Sequence, residues 1–197
     1  FQIFVLVSYI IATSCINKYS NLFLLLANST TTTTTTSTTT TTTTTTTTIL
    51  PNVTLLSIIN PSSTSFPSYT SYAYTWIATS SSATLSFFFR HDPGGWLLDD
   101  VQVYHGSTQL ITNGGFETGN LTGWNYSGTG NIFTGTVNWG ILAAHTGNYY
   151  YYDPCANYGD TISQMFPTVI GDTYNISFWL TNNLCCLTTQ IATVRIT

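Results

Sequence analysis

The sequence predicts an all-β protein, a sandwich or barrel of short strands, on three observations. Apolar and polar residues alternate with period two over several stretches, turn residues punctuate those stretches, and no segment carries an amphipathic 3.6-residue period. Tyr72, Tyr74 and Trp76 alternate with Ala73, Thr75 and Ile77; Leu85, Phe87 and Phe89 with Ser86, Phe88 and Arg90; Tyr174, Ile176, Phe178 and Leu180 with Thr173, Asn175, Ser177 and Trp179. In each run one set lies on one face of a strand and the other on its opposite face. Between them stand Asp92-Pro93-Gly94-Gly95, Asn113-Gly114-Gly115, Gly128-Thr129-Gly130 and Ile170-Gly171-Asp172, all turn signals. At most a turn of helix is expected, at Gly140–Ala144.

Composition narrows the class. Of 197 residues 5% are charged and 43% hydrophobic, with 13 Tyr, 11 Phe and 5 Trp. Such hydrophobicity supports a packed core, and a surface built from Thr, Ser, Asn, Gly and Tyr fits an extracellular β protein. The basic residues are Lys18, Arg90 and Arg195, and the net charge is −4. No patch can neutralise several phosphates, so nucleic acid is excluded as a partner.

The chain divides into three parts. Residues 1–28 are apolar, with Phe1–Ile16 uncharged and a second patch at Leu22–Ala27, and read as a membrane anchor through 1–27 or a secretory signal remnant. Residues 29–50 form a threonine-rich stalk, a linker with no apolar period and many O-glycan acceptors. Residues 51–197 hold the sandwich, expected as a monomer. N-glycosylation sequons at Asn28, Asn52, Asn120, Asn125 and Asn175 agree with a secretory route and a cell-surface or extracellular location, Asn60 being disqualified by Pro61.

Leu110-Ile111-Thr112-Asn113-Gly114-Gly115-Phe116-Glu117, followed by Leu121-Thr122-Gly123-Trp124, resembles the opening of carbohydrate-binding modules of the cellulase-C N-terminal type. Gly147-Asn148-Tyr149-Tyr150, Ile162–Phe166 and Gly171–Leu180 resemble that family's middle strands in the same order. Ala83–Arg90, Asp92-Pro93 and Trp96–Val101 resemble its closing strands, but stand before the opening ones. The resemblance implies a jelly-roll β-sandwich of the galactose-binding-like class, and non-catalytic binding of a glycan or polysaccharide. The permuted order has two readings. Residues 66–105 and 109–197 complete one sandwich as a circular permutant, or they are the tail and head of successive repeats. One sandwich is favoured, because the two pieces together approach one domain and either alone leaves open edges.

Sugars stack on flat rings, so candidate ligand residues are exposed aromatics near amides. Trp179 lies on the polar side of its strand beside Asn175; Tyr150 and Tyr152 alternate with Tyr149 and Tyr151, so one pair faces outward; Trp139 and Trp96 are expected in glycine-flanked loops, and Trp124 in the core. In the resembled family a carboxylate after the opening strand and one in the closing strand help hold a structural Ca2+. Carried over, these are Glu117 and Asp100, with Asn148 alongside.

Catalysis is not expected. Asp99 and Asp100 are adjacent and would point to opposite faces of a strand, so they could not flank one glycosidic bond. His91, His105 and His145 show no metal-ligand spacing, Gly128-Thr129-Gly130 lacks a third glycine, and no G-x-S-x-G occurs. No C-x-x-C occurs either. Cys155 is expected to pair with Cys185 or Cys186, the choice left open. The rival to glycan binding is a structural or adhesive cell-surface repeat.

Overall fold

A computed structural model describes residues 52–128, 134–155, 157–183 and 189–197. The apolar segment, the threonine stalk, Cys185 and Cys186 lie outside the described residues, and with them the anchor and disulfide expectations. The described strands are β1 (Val53–Ile59), β2 (Thr70–Ile77), β3 (Ser82–Asp92), β4 (Gly95–His105), β5 (Thr108–Gln109), β6 (Asn125–Ser127), β7 (Thr136–Trp139), β8 (Tyr149–Asp153), β9 (Asp160–Pro167), β10 (Thr173–Asn183) and β11 (Thr189–Ile196). No helix among the described residues is long and apolar enough to cross a membrane.

The strands form two antiparallel sheets packed face to face, a β-sandwich. The first sheet has the order β1-β11-β3-β9-β6, the second β2-β10-β4-β8-β7 with β5 beside β4. The chain passes between sheets at the turn after β3, where Asp92-Pro93-Gly94-Gly95 ends one strand and opens the next. Residues 66–105 and 109–197 are interleaved. β3 lies between β11 and β9, and β4 between β10 and β8.

One core results. Leu85, Phe87 and Phe89 from β3 face Tyr174, Ile176, Phe178 and Leu180 from β10, all 0–2% exposed. Phe87 meets Phe178 edge-on, centroids 5.1 Å apart and planes at 90°, the arrangement favoured by the ring quadrupoles. Phe178 also stacks on Tyr72 and Tyr74 of β2, so period-two patterning in three separate stretches converges on one contact. Each such ring contributes roughly 1.5–3 kcal/mol through its removal from water.

The opening motif is structural. Phe116 is fully buried and stacks on Trp124 at 5.6 Å, whose indole N–H donates to the Asn113 carbonyl at 3.1 Å. Gly114 accepts from the Val101 N–H at 2.9 Å, and a side chain at this glycine would collide with the Val101 carbonyl. The motif is thereby pinned to β4 next to Asp99 and Asp100.

Candidate functional site

The outer face of the second sheet gathers much of the sequence-predicted site. Because Ile176, Phe178 and Leu180 point inward, Asn175, Ser177 and Trp179 point outward from β10. In β8 Tyr151 is buried in the core and Tyr149 packs against it, which turns Tyr150 and Tyr152 outward; this settles which pair faces out. Cross-strand pairing sets Tyr152 opposite Leu97 and Leu97 opposite Thr181, so these side chains share one face with Trp179. Trp179, Tyr150 and Tyr152 are half-buried, and Asn175 is exposed.

Two segments lie over this face. Ser65 Oγ is 2.8 Å from Thr181 Oγ1, and the Tyr69 hydroxyl donates to the Ala143 carbonyl at 2.7 Å. Gly140–Ala144 forms the expected turn, with the Ala143 and Ala144 amides donating to the Gly140 carbonyl. It delivers His145 onto Trp179, ring centroids 3.8 Å apart and planes at 17°, with Tyr69 edge-on to the same imidazole at 5.5 Å. One face of the indole is therefore occupied by His145.

The carboxylates depart from the sequence expectation. Along β10 and β4 the pairing runs from Ser177–Gln102 to Trp179–Asp99, two residues against three, so β4 carries a bulge. Asp100 sits there at φ 48°, a left-handed conformation that Asp tolerates better than most residues. Strict alternation is lost, and Asp99 and Asp100 turn toward the same loop instead of opposite faces. Asp99 Oδ2 accepts from the His145 and Thr146 amides at 2.8 and 3.2 Å. Asp100 Oδ2 is 2.6 Å from His145 Nδ1, and Asp100 Oδ1 accepts from the Thr146 hydroxyl at 2.7 Å. The two acids therefore share one loop, with Asp99 fully buried beneath it.

Burial pushes the Asp99 carboxyl up to about 7, helped by the adjacent Asp100 charge. Burial likewise raises Asp153 to about 7. An unfolded aspartate titrates near 4, so between about pH 4 and 7 the folded chain binds protons that the unfolded chain has released. These groups therefore make the chain more stable as pH falls through that window. In chelator-treated protein, denaturant titrations at pH 7 and 5 should show that gain, and Asp99→Asn should reduce it; an unchanged difference would contradict the assignment.

Glu117 Oε1 accepts from the Asn148 and Tyr149 amides, both at 2.9 Å. A Cβ built on Gly115 would lie 3.5 Å from Asp100 Oδ1, 3.8 Å from Asp99 Oδ1 and 3.8 Å from Glu117 Cγ, so the opening motif and the bulge bring three acids around one glycine. Glu117 and Asp100 do not form part of a tight three-donor cluster. Among the described residues that arrangement occurs at Asp153, Cys155 and Asp160, which the sequence reading did not single out as ligands.

Two tryptophans fall elsewhere than expected. Trp96 is not in a loop and is not available to a ligand: it is the second residue of β4, 2% exposed, its indole N–H donating to the Arg90 carbonyl at 3.0 Å and its ring stacked on Phe89. The reason is that Gly95 already begins the strand, which turns Trp96 into the core. Trp139 ends β7 and is 66% exposed, beside Ile141 at 58% and Leu142 at 90%. A cavity of about 410 Å³ lies on the other sheet, lined by Ser86, Phe88, Thr161, Thr193 and Arg195, none of them a predicted site residue.

Set against family models, curated proteins and solved structures, the chain matches none.

Proposed function

We propose that this chain is a non-catalytic, extracellular carbohydrate-binding module with a jelly-roll, galactose-binding-like sandwich. The carrying observation is the outer face of the second sheet, where Trp179, Tyr150 and Tyr152 stand with Asn175 and Ser177. Rings on a solvent-side face rich in amides and hydroxyls supply a stacking surface and hydrogen-bond partners for a saccharide. Arg90 and Arg195 belong to the first sheet, so a neutral glycan suits this face. The sequence resemblance in the opening, middle and closing strands supports the same reading. A glycan array probed with the full chain tests it: retention of neutral oligosaccharides is the expected result, and a blank array would reject the proposal.

A structural Ca2+ held by Glu117 and Asp100, with the Asn148 side chain alongside, belongs to this proposal. Its support is that carboxylate oxygens of Asp99 and Asp100 and the Cγ of Glu117 lie within 4 Å of one point beside Gly115, carboxylates being the donors a hard cation takes. Calcium at 100 times its dissociation constant should raise the unfolding free energy by about 2.7 kcal/mol. That gain should vanish in Glu117→Gln. Melting curves unaffected by calcium and by chelator would remove the metal from the account.

The adhesive reading is favoured by one observation, the exposed apolar run of Trp139, Ile141 and Leu142. It requires that Trp139→Ala abolish a protein contact, whereas the glycan reading requires that this variant keep most of its sugar affinity.

A further inference from the structure

Asp153, Cys155 and Asp160 bring one ligand atom each within 4.8 Å of one another, and their exposures are 0, 0 and 1%. The fold assembles them from two strand ends and the link between. Asp153 closes β8 opposite Trp96, Asp160 opens β9 opposite Phe89, and the Cys155 carbonyl accepts from the His91 amide at 2.9 Å. In sequence this is D-x-C-x4-D, a spacing unlike the C-x-x-C and H-E-x-x-H patterns usually sought.

The surroundings orient the two acids. The Tyr151 hydroxyl and the Cys155 amide donate to Asp153, each at 2.9 Å; the Tyr126 hydroxyl donates to Asp160 at 2.5 Å and the Gly135 amide at 3.0 Å. Such outer partners fix the direction in which a carboxylate presents its remaining lone pairs. Two glycines close around them: a side chain on Gly128 would strike the Tyr126 hydroxyl and Asp160, and one on Gly135 the Tyr151 hydroxyl. The backbone thus comes close to the cluster at two points.

Among the described residues no arginine or histidine forms an ion pair with Asp153 or Asp160. Among the described residues the arginines are Arg90, whose guanidinium is held by Asp92 at 2.6 Å, and Arg195, opposite Ser86 toward the other end of β3. His91, whose amide donates to the Cys155 carbonyl, is fully buried. Two carboxylates and a thiol in an interior are costly unless protons or a cation neutralise them.

We propose that Asp153, Cys155 and Asp160 bind one divalent transition-type ion of the Zn2+ class. The thiol selects the class. Ca2+ and Mg2+ prefer all-oxygen shells, whereas Zn2+ accepts sulfur and carboxylate oxygen together and commonly keeps a fourth position. On binding, Cys155 and any protonated carboxyl of the set release their protons to solvent, and the thiolate, two carboxylates and dication leave the site at net −1. This site shares no residue with Glu117 and Asp100 and stands whether or not the chain binds glycans.

Cobalt serves as the probe. The full chain, reduced and freed of metal, is titrated with Co2+ near neutral pH and followed by absorption. The expected result is a sulfur-to-cobalt charge-transfer band saturating at one equivalent, bleached by Zn2+, absent in Cys155→Ser, and weakened at least tenfold in affinity by Asp160→Asn. Asp172→Asn, at an acid paired with His105 and outside both acidic clusters, should leave the titration unchanged. No band in the wild-type chain, a band that survives Cys155→Ser, or a disulfide from Cys155 to Cys185 or Cys186 in native protein would overturn the proposal.

Discussion

Phe178→Ala is expected to destabilise the folded chain by about 3–5 kcal/mol, the range found when a large buried ring is deleted from a core. Phe178 is fully buried, and it joins elements that are far apart in sequence. It stands edge-on to Phe87 of β3 and stacks on Tyr72 of β2 at 5.4 Å. The loss removes its apolar burial and leaves a cavity bounded by those rings. Against a total stability of about 5–15 kcal/mol, this is a large fraction. Ile77→Ala, at a position 46% exposed at the end of β2, should shift stability by less than about 1 kcal/mol. A double-mutant cycle between Phe87 and Phe178 should give a coupling of about 0.5–1.5 kcal/mol, because they touch across the two sheets. Equal melting of the Phe178 and Ile77 variants, or zero coupling, would contradict the packing described.

Trp179→Ala is expected to lower glycan affinity by about 2 kcal/mol, roughly 30-fold, the loss seen when an aromatic anchor is truncated. The half-buried indole carries the His145 imidazole stacked on one face at 3.8 Å, and that imidazole is held by Asp100. His145→Ala should therefore also weaken binding, through lost alignment of Trp179 and a shortened platform. Far-ultraviolet circular dichroism should remain that of the wild type in both variants, since Trp179 projects from the outer face and the interior is filled by Phe178 and Leu180. Undiminished affinity in well-folded Trp179→Ala would place the sugar elsewhere, with the cavity around Phe88 and Arg195 the next place to look.

Much of the fold was legible because period-two patterning is a direct readout of a half-buried sheet. The alternations at Tyr72–Trp76, Leu85–Phe89 and Tyr174–Leu180 identified inward-facing residues, and the turn signals marked strand ends. The bulge was not legible. Strand geometry placed Asp99 and Asp100 on opposite faces, and only the extra residue opposite Phe178, with Asp100 in a left-handed conformation, aims both at the loop of His145 and Thr146. The hint in sequence was modest, a left-handed-tolerant Asp next to a partner and a glycine motif whose pairing with Val101 depends on tertiary contact. The place of Trp96 is not legible because a glycine pair reads as loop, although its second member begins β4. The Asp153–Cys155–Asp160 cluster was hidden for another reason: its spacing has no periodic or motif signal, and its proximity arises from the junction of β8 and β9. Burial of the acids is a property of the packed sandwich.

The outer face of the second sheet is tested most directly by the indole N–H resonances of the five tryptophans during titration with a saccharide retained on the array. The account predicts that the Trp179 signal moves and saturates with the binding isotherm, while those of the buried Trp76, Trp96 and Trp124 stay in place. A saturating titration in which Trp179 does not move, with the changes confined to Trp139 or to residues around Phe88, would contradict it.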